Sequence, residues 1–312
     1  MAFWTPEYRF AERRMDRTSA LEKQGALRDQ SPGALRWVGK FFARKPLGAL
    51  GALVVLGYLV LAAVAPIVAA YDPVVMDASV LRHPPSWSHP LGTDQSGRDV
   101  LSRLIWGTRI TIAVGFSSVA IGGVIGGTLG LVGAYVGGWA DDVIQRFMDS
   151  MMALPTLVLG LAIVAVFGPS LLIVTVAIAT VITPRINRVV RASAIAISAT
   201  PFVDAAKAIG CSRFRIIFHH VAPSAVSPFV VIVTAQLAQA IITEASLSFL
   251  GVGVPPPNPT WGGMLSGSGR TFVLDAPWLT IAPGVAIATA VFAANMLGDA
   301  LRDEMDPRLR GQ

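Results

Sequence analysis

Six long apolar blocks constrain this chain more than any other feature: residues 47–70, 109–136, 146–167, 171–190, 226–250 and 279–300. About 20 apolar residues in helical form cross the roughly 30 Å of a bilayer's hydrocarbon core. Inside that core a spanning segment must satisfy its own backbone, which leaves helices or closed barrels. Blocks of this length predict an all-α polytopic membrane protein with six transmembrane helices. Composition agrees, since 53% of the 312 residues are hydrophobic and only 14% are charged, where soluble domains run near a quarter. The first block and its basic lead-in are too long for a secretory signal. The small residues near Ala70 therefore read as helix packing, not a cleavage site.

Basic residues orient the spans. If both ends face the cytoplasm, 20 of the 25 Lys and Arg lie inside, and only Arg82, Arg98, Arg103, Arg109 and Arg270 lie outside. Cytoplasmic N and C termini are the expectation. Orientation also accounts for the pI near 10 without nucleic acid as a partner, and no nucleic-acid module is recognisable. Residues 1–46 read as a cytoplasmic basic tail, disordered or interfacial beside anionic lipid. Gly33 and Gly39-Lys40 imitate a phosphate loop, but the spacing is one residue too long and Phe41 replaces the hydroxyl that would hold magnesium. Residues 301–312 form a second cytoplasmic tail. Cys211 is the single cysteine, so no intramolecular disulfide can form.

Polar residues punctuate the blocks. Gly122, Gly123, Gly126, Gly127, Gly130, Gly133 and Gly137 set small residues four apart, which lets helix backbones approach closely in lipid. Asp142, Arg146 and Asp149 are spaced so that one Arg reaches both carboxylates. Gly168-Pro169-Ser170 marks a tight outside turn. Arg185, Arg188 and Arg191 share a face and can snorkel toward headgroups. In the fifth block, Gln236, Gln239, Thr243 and Glu244 either line a wet translocation path or bond between helices. An unpaired charge at mid-bilayer costs on the order of 3 kcal/mol, so Glu244 should lie near the outer end, face the bundle interior or find a donor. The proline-rich loop 251–278 suits a lid or docking ledge better than a span.

Between blocks four and five lies a polar, basic loop, 191–224. Asp204, Lys207, Gly210 and Arg213 recur every three or four residues, as do Phe202, Ala206 and Ile209. That spacing predicts a short amphipathic helix broken at Gly210 and closed before Pro223.

Three motifs together resemble one family. Asp204-Ala-Ala-x3-Gly210 with Pro223 thirteen residues on is similar to the "EAA" loop of bacterial ABC importer permeases. His89-Pro-Leu-Gly-Thr-Asp-Gln-Ser-Gly-Arg-Asp-Val-Leu-Ser-Arg103 and Glu244-Ala-Ser-Leu-Ser-Phe-Leu-Gly-Val-Gly-Val-Pro-Pro-Pro-Asn-Pro-Thr-Trp-Gly-Gly-Met-Leu265 resemble the dipeptide/oligopeptide/nickel branch, C-type subunit. The likeness spans roughly 85–312. Asp204 stands where Glu is usual, and His220 and Ala222 where the general loop has Ile and Leu. The resemblance implies the type I importer permease fold in a bacterial inner membrane. It also implies a multi-pass permease that carries di- or oligopeptides, with nickel or another small solute as the alternative cargo. Implied partners are a second homologous permease, two ATPases and an extracytoplasmic binding protein, with ATP and Mg bound by the ATPases and no cofactor on this chain. Phe202, Asp204, Ala205, Ala206, Lys207, Gly210, Arg213 and Pro223 would couple to an ATPase, and residues 202–217 would form the coupling helix. Outside, Asp94, Arg98, Asp99 and Trp261 would dock the binding protein or gate the path, although Asp94, Arg98, Asp99 and Arg103 are also spaced to pair locally as a cap over block two.

Other classes predict other features. A secondary transporter would show inverted repeats with buried acids, and none is visible. A membrane enzyme needs a nucleophile motif or a metal site. His83 and His89 lie on one side, and His219 and His220 on the other, so the four cannot share a metal.

Overall fold

The computed structural model describes residues 45–269 and 271–305. The expectations for the N-terminal tail, for Arg270 and for the last seven residues lie outside those described. Nine helices organise the described chain: α1 Pro46–Val68, α2 Val100–Val136, α3 Gly138–Met152, α4 Thr156–Phe167, α5 Leu171–Ser198, α6 Pro201–Ala208, α7 Ala222–Phe249, α8 Trp261–Met264 and α9 Trp278–Met305. Two short pieces, Arg213–Arg215 and the wider turn Ile216–Val221, run directly into α7. Among the described residues there is no strand.

Five helical runs are long and apolar enough to cross a membrane: α1, α2, α5, the run Arg213–Phe249 and α9. A sixth span exists only as a bent pair. The block expected at 146–167 is not one rod, because α3 and α4 meet at 92°. Pro155 supplies no N–H and disfavours helical geometry at Leu154, which breaks the rod there. α4 has 12 residues, about 18 Å of helix, and cannot span alone. α3 is amphipathic and carries Asp141, Asp142, Arg146 and Asp149. Block two also starts earlier than its hydropathy suggested. Asp99 caps α2 by accepting from Ser102 N–H at 2.7 Å, so the helix begins at Val100 instead of 109.

The core lies where α2, α5, α7 and α9 meet. Glycines on α2 set its closest approach. A Cβ at Gly122, Gly126 or Gly130 would fall 3.0, 2.6 or 2.7 Å from the carbonyls of Ala179, Thr183 and Asn187 on α5. Small residues four apart thus let the two backbones touch. On the adjacent face, Gly123 and Gly127 leave room for the Phe229 ring of α7. α1 is peripheral. It docks on α9 through Gly51, whose Cβ would meet Ala293 O at 2.7 Å, and through Tyr58, whose hydroxyl donates to Ala286 O at 3.2 Å.

Candidate functional site

At one end of the bundle a helical knob projects. Pro201 opens α6, where its missing N–H costs nothing. The helix stops at Gly210, which takes φ +79°, a left-handed conformation natural to glycine. Ser212 starts the next turn, its hydroxyl accepting from Arg215 N–H at 3.4 Å. Val203, Ala206, Ile216 and Val221 are buried together with Ala194, against Leu131, Ala134 and Tyr135 of α2. This small core fixes the knob to the spans.

Two local expectations need correction. Phe202, Ala206 and Ile209, spaced as one face of an amphipathic helix, are not buried together. Phe202 is 47% exposed and Ile209 81%, while Val203 and Ala206 face inward, because the break at Gly210 folds the second arm onto that side. Nor does the helix close before Pro223. It runs on into α7, since the widened turn Ile216–Val221, in which Ala222 N–H bonds Ile217 O, opens the space a proline ring needs. Outward, the knob shows Phe202, Ile209, Phe214 and Phe218, the last two rings 4.6 Å apart. Ala205 and Arg213 are exposed, and Lys207 Nζ donates to Asp204 Oδ1 at 2.9 Å.

A polar ladder joins α3 to α5 beside the knob. Arg191 Nε and Nη2 donate to the two oxygens of Asp141 at 2.8 and 2.5 Å. Gln145 donates to the buried Asn187 at 3.2 Å, and Arg188 to Asp149 at 2.6 Å. Asp141 and Asp149 thus pair with α5 arginines and not with Arg146, because the bend lays α3 across α5. Tyr58, the lone polar residue of its apolar block, carried the one signal that could have marked it as an interhelical contact.

At the opposite end, segments 69–99 and 251–278 fold over the bundle. Asp94 Oδ1 accepts from the N–H groups of Ser96 (2.8 Å) and Arg98 (3.0 Å), and Oδ2 from Arg98 Nε at 2.7 Å. Arg103 Nε lies 3.6 Å from the same oxygen, and its Nη1 donates to Pro73 O at 2.8 Å. Asp99 pairs with His89 Nδ1 at 3.0 Å. Asp94, Asp99 and Arg103 are buried, so the four charges form a local cap and leave Arg98 half-open. His83 Nδ1 lies 2.9 Å from Pro84 O, and among the described residues no cluster of three His, Cys, Asp or Glu could hold a metal. Trp261 is fully buried. Its Nε1 donates to Leu104 O at 3.1 Å, it sits over Gly107, and its ring centroid lies 5.2 Å from that of Tyr58. In this conformation it fastens the loop to α1 and α2 and presents nothing to a partner.

Of the polar residues on α7, Glu244 is fully buried near the helix's loop end and accepts from Ser248 Oγ at 2.8 Å. Thr243 donates to its own helix at Gln239 O, 2.7 Å, and Gln239 Nε2 reaches Thr243 Oγ1 at 3.4 Å. Gln236 is buried, and its Oε1 has no partner among the described residues.

Both the sequence and the helical fold are similar to those of known proteins. Residues 122–311 match the family of binding-protein-dependent transport system inner membrane components. The chain belongs to that family. It is 38% identical over 284 residues to the dipeptide transport system permease protein DppC of Alkalihalophilus pseudofirmus, covering 90% of this chain and 93% of the relative. It is 41% identical to the di/tripeptide transport system permease protein DppC of Pseudomonas aeruginosa, covering 89% and 94%. With the glutathione transport system permease protein GsiD of Pectobacterium atrosepticum it shares 42% identity over 75% and 77%. The fold is similar to a solved structure of the MetNI methionine ABC transporter in an inward-facing conformation, with TM-score 0.54, 20% identity, and 66% of this chain and 97% of that one covered. The expected permease fold in a multi-pass membrane protein is therefore established.

Proposed function

We propose that this chain is one permease subunit of an ABC importer for di- or oligopeptides, working without an ATPase site of its own. The observation that carries this reading is the knob at 201–221: an outward apolar surface held on a small rigid core that continues directly into a spanning helix. Soluble proteins seldom leave such side chains in water without a partner. The partner is an ATPase subunit, one of a pair that binds ATP and Mg. Phe202, Ala205, Lys207, Gly210 and Arg213 meet it, Asp204 holds Lys207, Ala206 anchors the knob from beneath, and Pro223 starts the span that carries the motion.

Alternation between inward-open and outward-open states needs a ligand that binds the two unequally. ATP at the ATPase pair supplies that difference, and α7 transmits it through the run Arg213–Phe249. The knob and both termini are cytoplasmic, in keeping with the distribution of basic residues. The cap at 69–99 and 251–278 faces outward toward the binding protein, and a second, homologous permease completes the path, with Gln236, Gln239 and Thr243 of α7 nearest to it. Peptide cargo rests on the relatives, which are described as dipeptide, di/tripeptide and glutathione permeases. Uptake of a labelled dipeptide by proteoliposomes holding the whole complex tests the reading. ATP-dependent uptake that needs binding protein supports it, and ATP-independent uptake by this chain alone refutes it.

A further inference from the structure

A recess lies where the first segment of the cap meets the second, lined by Gln95, Arg98, Arg103, Gly263 and Met264, with Asp94 at its edge. Its charges do not balance. Asp94 is the one carboxylate in reach of two guanidiniums, and both its oxygens are taken up by Ser96 N–H, Arg98 and Arg103. Asp99 is turned away, held by His89 and by the N–H of Ser102. Each guanidinium offers five N–H donors in a planar fork. Arg98 spends one on Asp94, and Arg103 spends Nη1 on Pro73 O. Arg103 Nε lies 3.6 Å from Asp94, and the remaining donors find no acceptor among the described residues, although the two side chains are only 16% and 10% exposed. A half-buried cationic excess is costly until an anion answers it, and the Arg fork suits a carboxylate.

Building on the outward orientation proposed above, we infer that Arg98 and Arg103 form a socket for an acidic side chain of the extracytoplasmic binding protein. Size selects that occupant over cargo. The recess measures about 60 Å³, small against the roughly 300–1,000 Å³ of ordinary ligand pockets, and so suits a carboxylate group on a flexible stem better than a dipeptide. Asp94 orients the arginines from beneath, and Gln95 stands exposed at the rim.

The test uses the complete transporter in lipid nanodiscs and reads how ATP hydrolysis rises with added binding protein. Truncating one member of a desolvated charge pair commonly weakens association by tenfold or more. Arg98→Gln should therefore raise the half-saturating concentration of binding protein at least tenfold and flatten its dependence on salt, while Arg98→Lys recovers part of the loss. Gln95→Glu leaves both arginines in place and puts a competing carboxylate at the mouth. It should produce the same rise, which a purely structural role for the arginines does not predict. If the wild type responds and both Arg98→Gln and Gln95→Glu respond within twofold of it, the socket is refuted and the proposed function stands. If the wild type does not respond to binding protein at all, the proposed function falls and the socket with it.

Discussion

Gly210 shows how much one residue can settle. Its φ of +79° breaks the knob into two arms, and a Cβ built there meets nothing within 4 Å. A side chain at this position therefore costs about 1–2 kcal/mol of backbone strain with no clash inside the chain. Gly210→Glu should reach the membrane in normal amount, measured by immunoblot of membrane fractions, yet lose uptake, because the added charge falls on the surface proposed to meet the ATPase. Trp261 is the contrasting case. It fills space among α1, α2 and the outer loop, so Trp261→Ala should destabilise by about 3–5 kcal/mol. Trp261→Phe should lose only about 1 kcal/mol, since Leu104 O keeps the hydrogen bond from Thr108 Oγ1. Thermal melts in detergent would separate the two. The sequence singled out both residues and placed the break at Gly210 correctly, but it did not show the packing around Trp261. The docking or gate role that the resemblance implies for Trp261 meets a fully buried ring, and the repeat of Phe202, Ala206 and Ile209 does not mark a buried face, because which side of the first arm is covered depends on how the second arm folds back after Gly210.

At the scale of elements, hydropathy located α1, α7 and α9 within a few residues and α5 at its start, although α5 runs on past 190 to Ser198. It failed where polar chemistry decides the boundary: at the Asp99 cap of α2 and at Leu154-Pro155, where an apolar stretch turns through 92°. The glycine pattern did announce close packing, but only the structure shows that α5 receives it. Gly126→Leu forces a side chain to within 2.6 Å of Thr183 O and should abolish a monodisperse peak in fluorescence-detected size-exclusion chromatography, whereas Gly57→Ala, in helical geometry with nothing near its Cβ, should keep it. The α3–α5 ladder was hidden because ion pairs across a bend have no fixed spacing in sequence. Arg191→Ala and Asp141→Ala should each reduce stability. A double-mutant cycle on the melting transition should return a coupling of roughly 1 kcal/mol, as for partly exposed pairs generally.

Across the whole molecule, two polar ends are joined by helices packed backbone to backbone, and close packing makes such a bundle shift between discrete arrangements instead of bending. In the mechanism proposed above, force applied at residues 201–221 reaches the cap through α7, whose loop end holds Glu244 and packs so tightly on α8 that a Cβ at Gly262 would collide with Ala245 O. The most direct measurement of that account places a cysteine at Lys207 in a Cys211→Ser background and treats membranes with an impermeant maleimide. The account predicts no labelling of intact spheroplasts, strong labelling of inverted vesicles stripped of ATPase subunits, and protection when those subunits are restored. Labelling of the intact cells, or equal labelling with and without the ATPases, would contradict it.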